Sequence, residues 1–139
     1  MRPGVSRTLL YLAEHLTRAG IVAAQAQSRK NSYHPEPTLP PEHRAELANY
    51  ARLGYDRGHI DPNGDMPSRR SQAQSFSLDN VALHVHASNA GVWNGIEGAA
   101  RELALSEGEL YVISGPAFIG NNIKHIGRVL VPTHSWKML

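Results

Sequence analysis

Residues 56–59 read Asp-Arg-Gly-His. An arginine beside a histidine supplies two groups that phosphate chemistry needs. The guanidinium can hold a phosphate, and the imidazole can take a proton from water. Asp56 can orient a neighbour, and Gly58 permits close backbone approach or unusual dihedrals. The competing reading is a polar turn that follows a helix. Further along, Asn89, Trp93, Glu97 and Arg101 recur four residues apart. On a helix such residues drift by only about 40° per step, so amide, indole, carboxylate and guanidinium form one stripe. Asn89 stands at its start, where an amide oxygen can turn away from the helix and coordinate a ligand. A structural reading competes here too: Glu97 and Arg101 as an i,i+4 ion pair, Asn89 as a cap.

These residues need elements to hold them. The spacing predicts a helix over Asn89–Leu105, with Val92, Ile96, Ala99, Ala100 and Leu103 on its apolar side. A second helix is expected over Pro41–Leu53. Pro41 suits its first turn, Glu42 and Glu46 its N-terminal half, and Gly54 its stop. The pattern of Leu9–Leu16 fits a helical turn or a strand. Gln25–Pro41 and Asp61–Gln74 read as loops. Ser75–Val85 reads as a strand with an irregularity at Asp79 and Asn80. Leu110–Ser114 reads as a short buried strand ended by Gly115 and Pro116. Arg128–Val131 is a further strand, and another begins in His134–Leu139. Mixed helix and strand without regular βαβ alternation makes the class α+β.

The chain has 139 residues, of which 41% are hydrophobic and 19% charged, so one globular domain is expected over 1–139. The formal charge of +2 permits a polyanionic partner without demanding one. With no cysteine, disulfides, thiolate nucleophiles and thiolate-bound zinc are excluded. No apolar run approaches the roughly 20 residues that span a bilayer. The start, MRPGVSRTLLYLAEHL, has neither the apolar core nor the cleavage site of a signal peptide.

Taken together, the two motifs resemble the DNA/RNA non-specific endonucleases of the ββα-metal superfamily. The hallmark D-R-G-H of that family is Asp56, Arg57, Gly58 and His59. Its A-P-x-x-D-M is partly matched by Asp61, Pro62, Asn63, Gly64, Asp65 and Met66, with Asp61 in the alanine place. Its N-x-G-x-W-x-x-x-E matches Asn89, Gly91, Trp93 and Glu97, and Arg101 matches an arginine that follows. YVISGPAF resembles its strand and Gly-Pro turn, and VPTHSWK its late P-x-x-W-K segment. The likeness runs from about Ser6 to the C-terminus.

The resemblance implies a ββα-metal nuclease core with a mainly antiparallel sheet flanked by helices, and it makes Thr8–Leu16 a strand. It implies a metal-dependent, sugar-non-specific endonuclease that hydrolyses DNA and RNA and leaves 5′-phosphates. His59 would be the general base, Asn89 the direct ligand of Mg2+ (Mn2+ as a substitute), and Glu97 would act on the ion through water. Arg57 and Arg101 would clamp phosphate oxygens, with Asp56 as a further substrate-binding position. Family domains carry more chain at both ends, so 1–139 is expected to be shortened and its first strand to lack a neighbour. A homodimer partner covering that edge is expected, an inhibitor protein is a conceivable partner, and no membrane association is. Family members are often secreted, periplasmic or mitochondrial, yet no export signal is visible here.

The chain also departs from the family. Leu83 and His84 replace a Pro-Gln pair, and Ala90 replaces a common arginine. This motivates the alternative of a catalytically degenerate module that binds nucleic acid without cutting it. His84 and His86 form H-x-H, which on a strand would point both rings to one face. Zinc is one reading of that pair, with His59 near, and ordinary surface or half-buried histidines the other.

Overall fold

The computed structural model describes residues 7–51 and 54–139. Its chain order is β1 (Leu12–Thr17), α1 (Arg18–Gln25), β2 (Asp56–His59), α2 (Arg69–Ser75), β3 (Val81–His84), α3 (Asn94–Glu107), β4 (Glu109–Ala117), β5 (His125–Ile126), β6 (Val129–Leu130) and β7 (His134–Met138). A π-helical turn over Ser88–Trp93 leads into α3, and 3-10 turns occupy Leu47–Tyr50, Asn63–Asp65 and Leu78–Asn80. The fold is α+β with antiparallel sheets.

Strand β4 is the centre of a three-stranded sheet, with β1 on one side and β7 on the other. Leu16 of β1 and Val112 of β4 point inward and pack with Ile21 of α1 and Ala100 and Ala104 of α3. A second core gathers Tyr50, Leu78, Val81, Leu83, Val129 and Val131 under the β2–β3 ladder. In that ladder Arg57 faces Leu83, Gly58 faces Ala82 and His59 faces Val81. The Tyr50 hydroxyl donates to the carbonyls of Leu78 and Val81, tying the 3-10 turn to β3.

Several expectations are corrected. No α-helix fills the described part of Pro41–Leu53, and Leu53 lies outside the described residues. Glu46 is extended there, and its N–H is taken by the Asn49 side chain in a capping box, so helical turns start only after it. Asp61–Gln74 is not all loop. Ser68 caps α2 by accepting from the Ser71 N–H, and the Ser71 hydroxyl oxygen accepts in return from the Ser68 N–H. Helix α1 follows β1 without a loop, begun by the Thr17 hydroxyl, which accepts from the Gly20 N–H.

Strand β4 does not stop at Gly115 and Pro116. The Ala117 carbonyl faces Thr133, so alternation turns the Pro116 nitrogen to the side where β1 has ended. The long helix is present, but its buried residues are Ala100 and Ala104, with Trp93 in the preceding turn, while Val92 is 72% exposed. Small alanines let the helix lie close on the sheet, which leaves Val92, Ile96 and Leu103 on its outer side.

Candidate active site

The β2–β3 ladder and the turn into α3 meet at a cleft of about 330 Å³. Arg57 and His59 reach it from β2. Asn89 comes from the π turn, and Glu97 and Arg101 from successive turns of α3. Residues 62–64 form another wall. The structure therefore brings together five of the six residues that the sequence singles out. The sixth, Asp56, is at the start of β2 and does not line the cleft. Its carboxylate accepts from the Asn89 side-chain amide at 3.2 Å and bonds the His86 ring at 2.8 Å. Because the Asn89 nitrogen is held by Asp56, its amide oxygen is the atom left to act as acceptor. That donor set fits a hard cation, which takes oxygen ligands.

His59 is 7% exposed, and its Nε2 has no hydrogen-bond partner. The ring lies edge-on to Phe76, at 4.8 Å between centroids, and near Tyr33 at 5.9 Å. Burial, and then the Arg29 and His84 charges, push its pKa down to about 4. At neutral pH the imidazole is thus uncharged, the form that accepts a proton. The Trp93 indole donates to the His59 carbonyl at 3.4 Å, joining the helix stripe to β2 beneath the cleft. Glu97 is shifted in the opposite sense. Burial raises it to about 7 against the opposing pull of Lys137 and Arg101. A carboxylate so placed gains from a cation beside it.

Arg101 does not pair with Glu97 in the helical i,i+4 manner. Its Nη1 donates to Asp65 at 2.9 Å, across to the loop after β2. Arg57 has no acidic partner among the described residues and lies over the Tyr33 ring at 4.8 Å. Arg29 completes a set of three guanidinium groups in the cleft, and sequence reasoning missed it. It comes from the polar segment read as plain loop, where it bonds Asn31 at 2.7 Å and lies 5.4 Å from the Phe76 ring centre. Only its charge and its place among aromatic residues could have flagged it.

The H-x-H pair does not converge. Strand β3 ends at His84, so the alternation that would align His86 with it is broken. His84 is buried, bonds Ser135 through Nε2 at 3.1 Å and packs edge-on to Trp93, whereas His86 is exposed on Asp56. No metal-binding cluster among the described residues includes either.

Two antiparallel strands feeding a helix, with the basic cleft where they meet, is the ββα-metal arrangement. The profile of the DNA/RNA non-specific endonucleases matches residues 4–139, and the chain belongs to that family. It is 32% identical to the mitochondrial nuclease EXOG of Danio rerio over 96% of this chain and 42% of that protein. It is also 32% identical to nuclease C1 of Cunninghamella echinulata, over 96% of this chain and 58% of that one. The crystal structure of EndoG in complex with EndoGI, described as the mechanism of EndoG inhibition, superposes with a TM-score of 0.87 at 27% identity, covering 96% of this chain and 60% of that one. The chain therefore spans about half the length of these curated relatives. No helix among the described residues is long and apolar enough to cross a membrane.

Proposed function

We propose that residues 1–139 form a single nuclease domain that hydrolyses phosphodiester bonds in DNA and RNA without base specificity. The observation that carries this is the convergence of a neutral, unpartnered imidazole with three arginines, an amide and a carboxylate in one cleft. Arg29, Arg57 and Arg101 hold the phosphate oxygens, and their fixed charges favour the extra negative charge that develops at phosphorus. His59 Nε2 takes the proton of the attacking water. Asp56 keeps the Asn89 amide in one orientation through the 3.2 Å bond. Asn89 would hold a Mg2+ ion directly and Glu97 through a water molecule, with Mn2+ as a substitute, supplying charge neutralisation at the phosphate and the leaving oxygen. Contacts directed at phosphate carry no sequence information, which supports the weak base preference and predicts salt-sensitive binding.

In the segment that departs from the family, His84 is packed behind β2 and Asn89 lines the cleft, which supports the cutting enzyme over the degenerate binding module. EndoG is bound by EndoGI in the structure named above, which supports an inhibitor protein as a partner class here. A second copy is proposed against the edge of β1 opposite β4, where no strand lies among the described residues.

The test is incubation with supercoiled plasmid and with RNA in Mg2+, beside EDTA and His59→Ala. Cutting that requires both metal and His59, and leaves 5′-phosphates, is the expected result. A folded parent that binds DNA but cuts in neither Mg2+ nor Mn2+ would instead be the degenerate binding module.

A further inference from the structure

Beyond Asp65, away from the cleft, three carboxylates meet that the hydrolysis does not use. Glu14 comes from β1, Asp61 from just after β2, and Asp65 from the 3-10 turn. One carboxylate oxygen of each lies within 4.8 Å of the others. Asp61 and Asp65 belong to one loop, but Glu14 enters from a different element with only 8% of its surface exposed. Neither Glu14 oxygen has a hydrogen-bond donor or solvent contact, and the same holds for Asp61 Oδ1. Of the two positive groups nearby, one bonds the cluster, and only at Asp65. Arg101 donates to Asp65 Oδ1 at 2.9 Å, and Lys137, whose charge reaches Asp61, donates to the Ser114 hydroxyl at 2.9 Å. Buried carboxylate oxygens without donors are costly, and three ionised carboxylates repel one another, which only a shared proton or a cation between them relieves. Something positive has to stand between them.

We propose that Glu14, Asp61 and Asp65 form a second, structural cation site, distinct from the cleft, for a hard divalent ion with Ca2+ preferred over Mg2+. The donor set is all oxygen and strongly anionic, which selects hard cations over zinc or copper. Three protein carboxylates whose oxygens lie within 4.8 Å of one another suit Ca2+, which takes several carboxylates in a flexible shell, better than Mg2+, which keeps its waters and is held by one or two. Such an ion would tie β1 to the loop over 61–65, whose residues 62–64 wall the cleft. It would therefore stiffen the cleft without entering it. Asp61 stands where the family pattern has alanine, so one of the three carboxylates departs from that pattern. The rival occupant is a proton. Burial and the two neighbouring acids push Glu14 up to about 12, so without an ion that carboxyl stays protonated.

The experiment is calcium titration of the Asn89→Ala protein, in which the cleft ligand is gone, by calorimetry and by thermal unfolding at pH 8. One Ca2+ bound per chain, with a midpoint that rises by several degrees, is expected. Asp61→Ala and the milder Asp61→Asn, each checked for folding by circular dichroism, should lose at least tenfold in affinity, and Ca2+ should outcompete Mg2+. Calcium binding that disappears with Asn89→Ala and survives Asp61→Ala would place the only ion in the cleft and overturn the inference. A folded Asn89→Ala protein indifferent to Ca2+, yet stabilised as pH falls, would assign the cluster to a shared proton. Neither result would overturn the nuclease reading, which the plasmid assay tests separately.

Discussion

Gly58→Ala tests whether the backbone of β2 is fixed by what packs behind it. A methyl group built on Gly58 would lie 2.3 Å from His84 Nδ1, 2.7 Å from its Cγ and 2.8 Å from its Cε1. Ordinary contact is about 3.5–4.0 Å, so ring and strand must separate by roughly 1 Å. The ring cannot simply swing away. It is buried, bonded to Ser135 at 3.1 Å and packed edge-on against Trp93. Overpacking of this kind costs typically 1–3 kcal/mol, and the rigidity of the ring puts this case at about 3 kcal/mol. For a domain of this size that lowers the midpoint by about 10 °C. Arg57 and His59 flank the displaced residue and share the opposite face of β2, so turnover should fall by at least tenfold. The decisive measurement is a double-mutant cycle in urea. His84→Ala carries its own cavity cost, but in that background Gly58→Ala should cost under about 1 kcal/mol, a coupling of about 2 kcal/mol. Additive effects, or a Gly58→Ala protein as stable as its parent, would refute the steric argument.

Four further outcomes rest on the same geometry. His59 ought to make the fold sensitive to acid: its pKa is pushed from 6.5 to about 4 by burial, so between those values the unfolded chain binds the proton and the folded one does not. Stability is thus lost as pH falls from about 6.5 towards 4, by about 3 kcal/mol. The difference between parent and His59→Gln across that window isolates this from Glu14 and Asp61, whose raised pKa values act with the opposite sign; a pH-independent difference would contradict it. Arg101→Ala should lower both activity and stability, the latter by about 3 kcal/mol, because it strips the donor from buried Asp65. Arg57→Ala should lower activity with a stability change under about 1 kcal/mol, so urea titrations that rank the two equally would reject the distinction. Arg29→Ala should weaken DNA binding and reduce the slope of log affinity against log salt by about 1, as the loss of one phosphate contact requires.

What the sequence disclosed and what it hid divide along a physical line. Arg57 and His59 on β2, and Asn89, Glu97 and Arg101 along the π turn and α3, stand at short fixed offsets in the sequence, and such offsets carry into space, so that all five line one cleft. The long helix and the strand ahead of Gly115 were legible for the same reason. Features decided by contacts distant in sequence were not. Ala100 is expected on the apolar side of α3, but that it shares the buried face with Ala104, and not with Val92 and Leu103, follows from how close the sheet packs, which a window ranking the larger residues as more apolar does not show. That Asp56 can orient a neighbour is readable from its type, but not that the neighbour is Asn89, which lies far along the chain. Arg29 and the meeting of Glu14 with Asp61 and Asp65 depend on three separate segments converging, and no spacing encodes that. The motif residues therefore mark where chemistry is to be sought. The residues that set its pKa values, orient its ligands and brace its walls come from loops and edges that a pattern leaves blank.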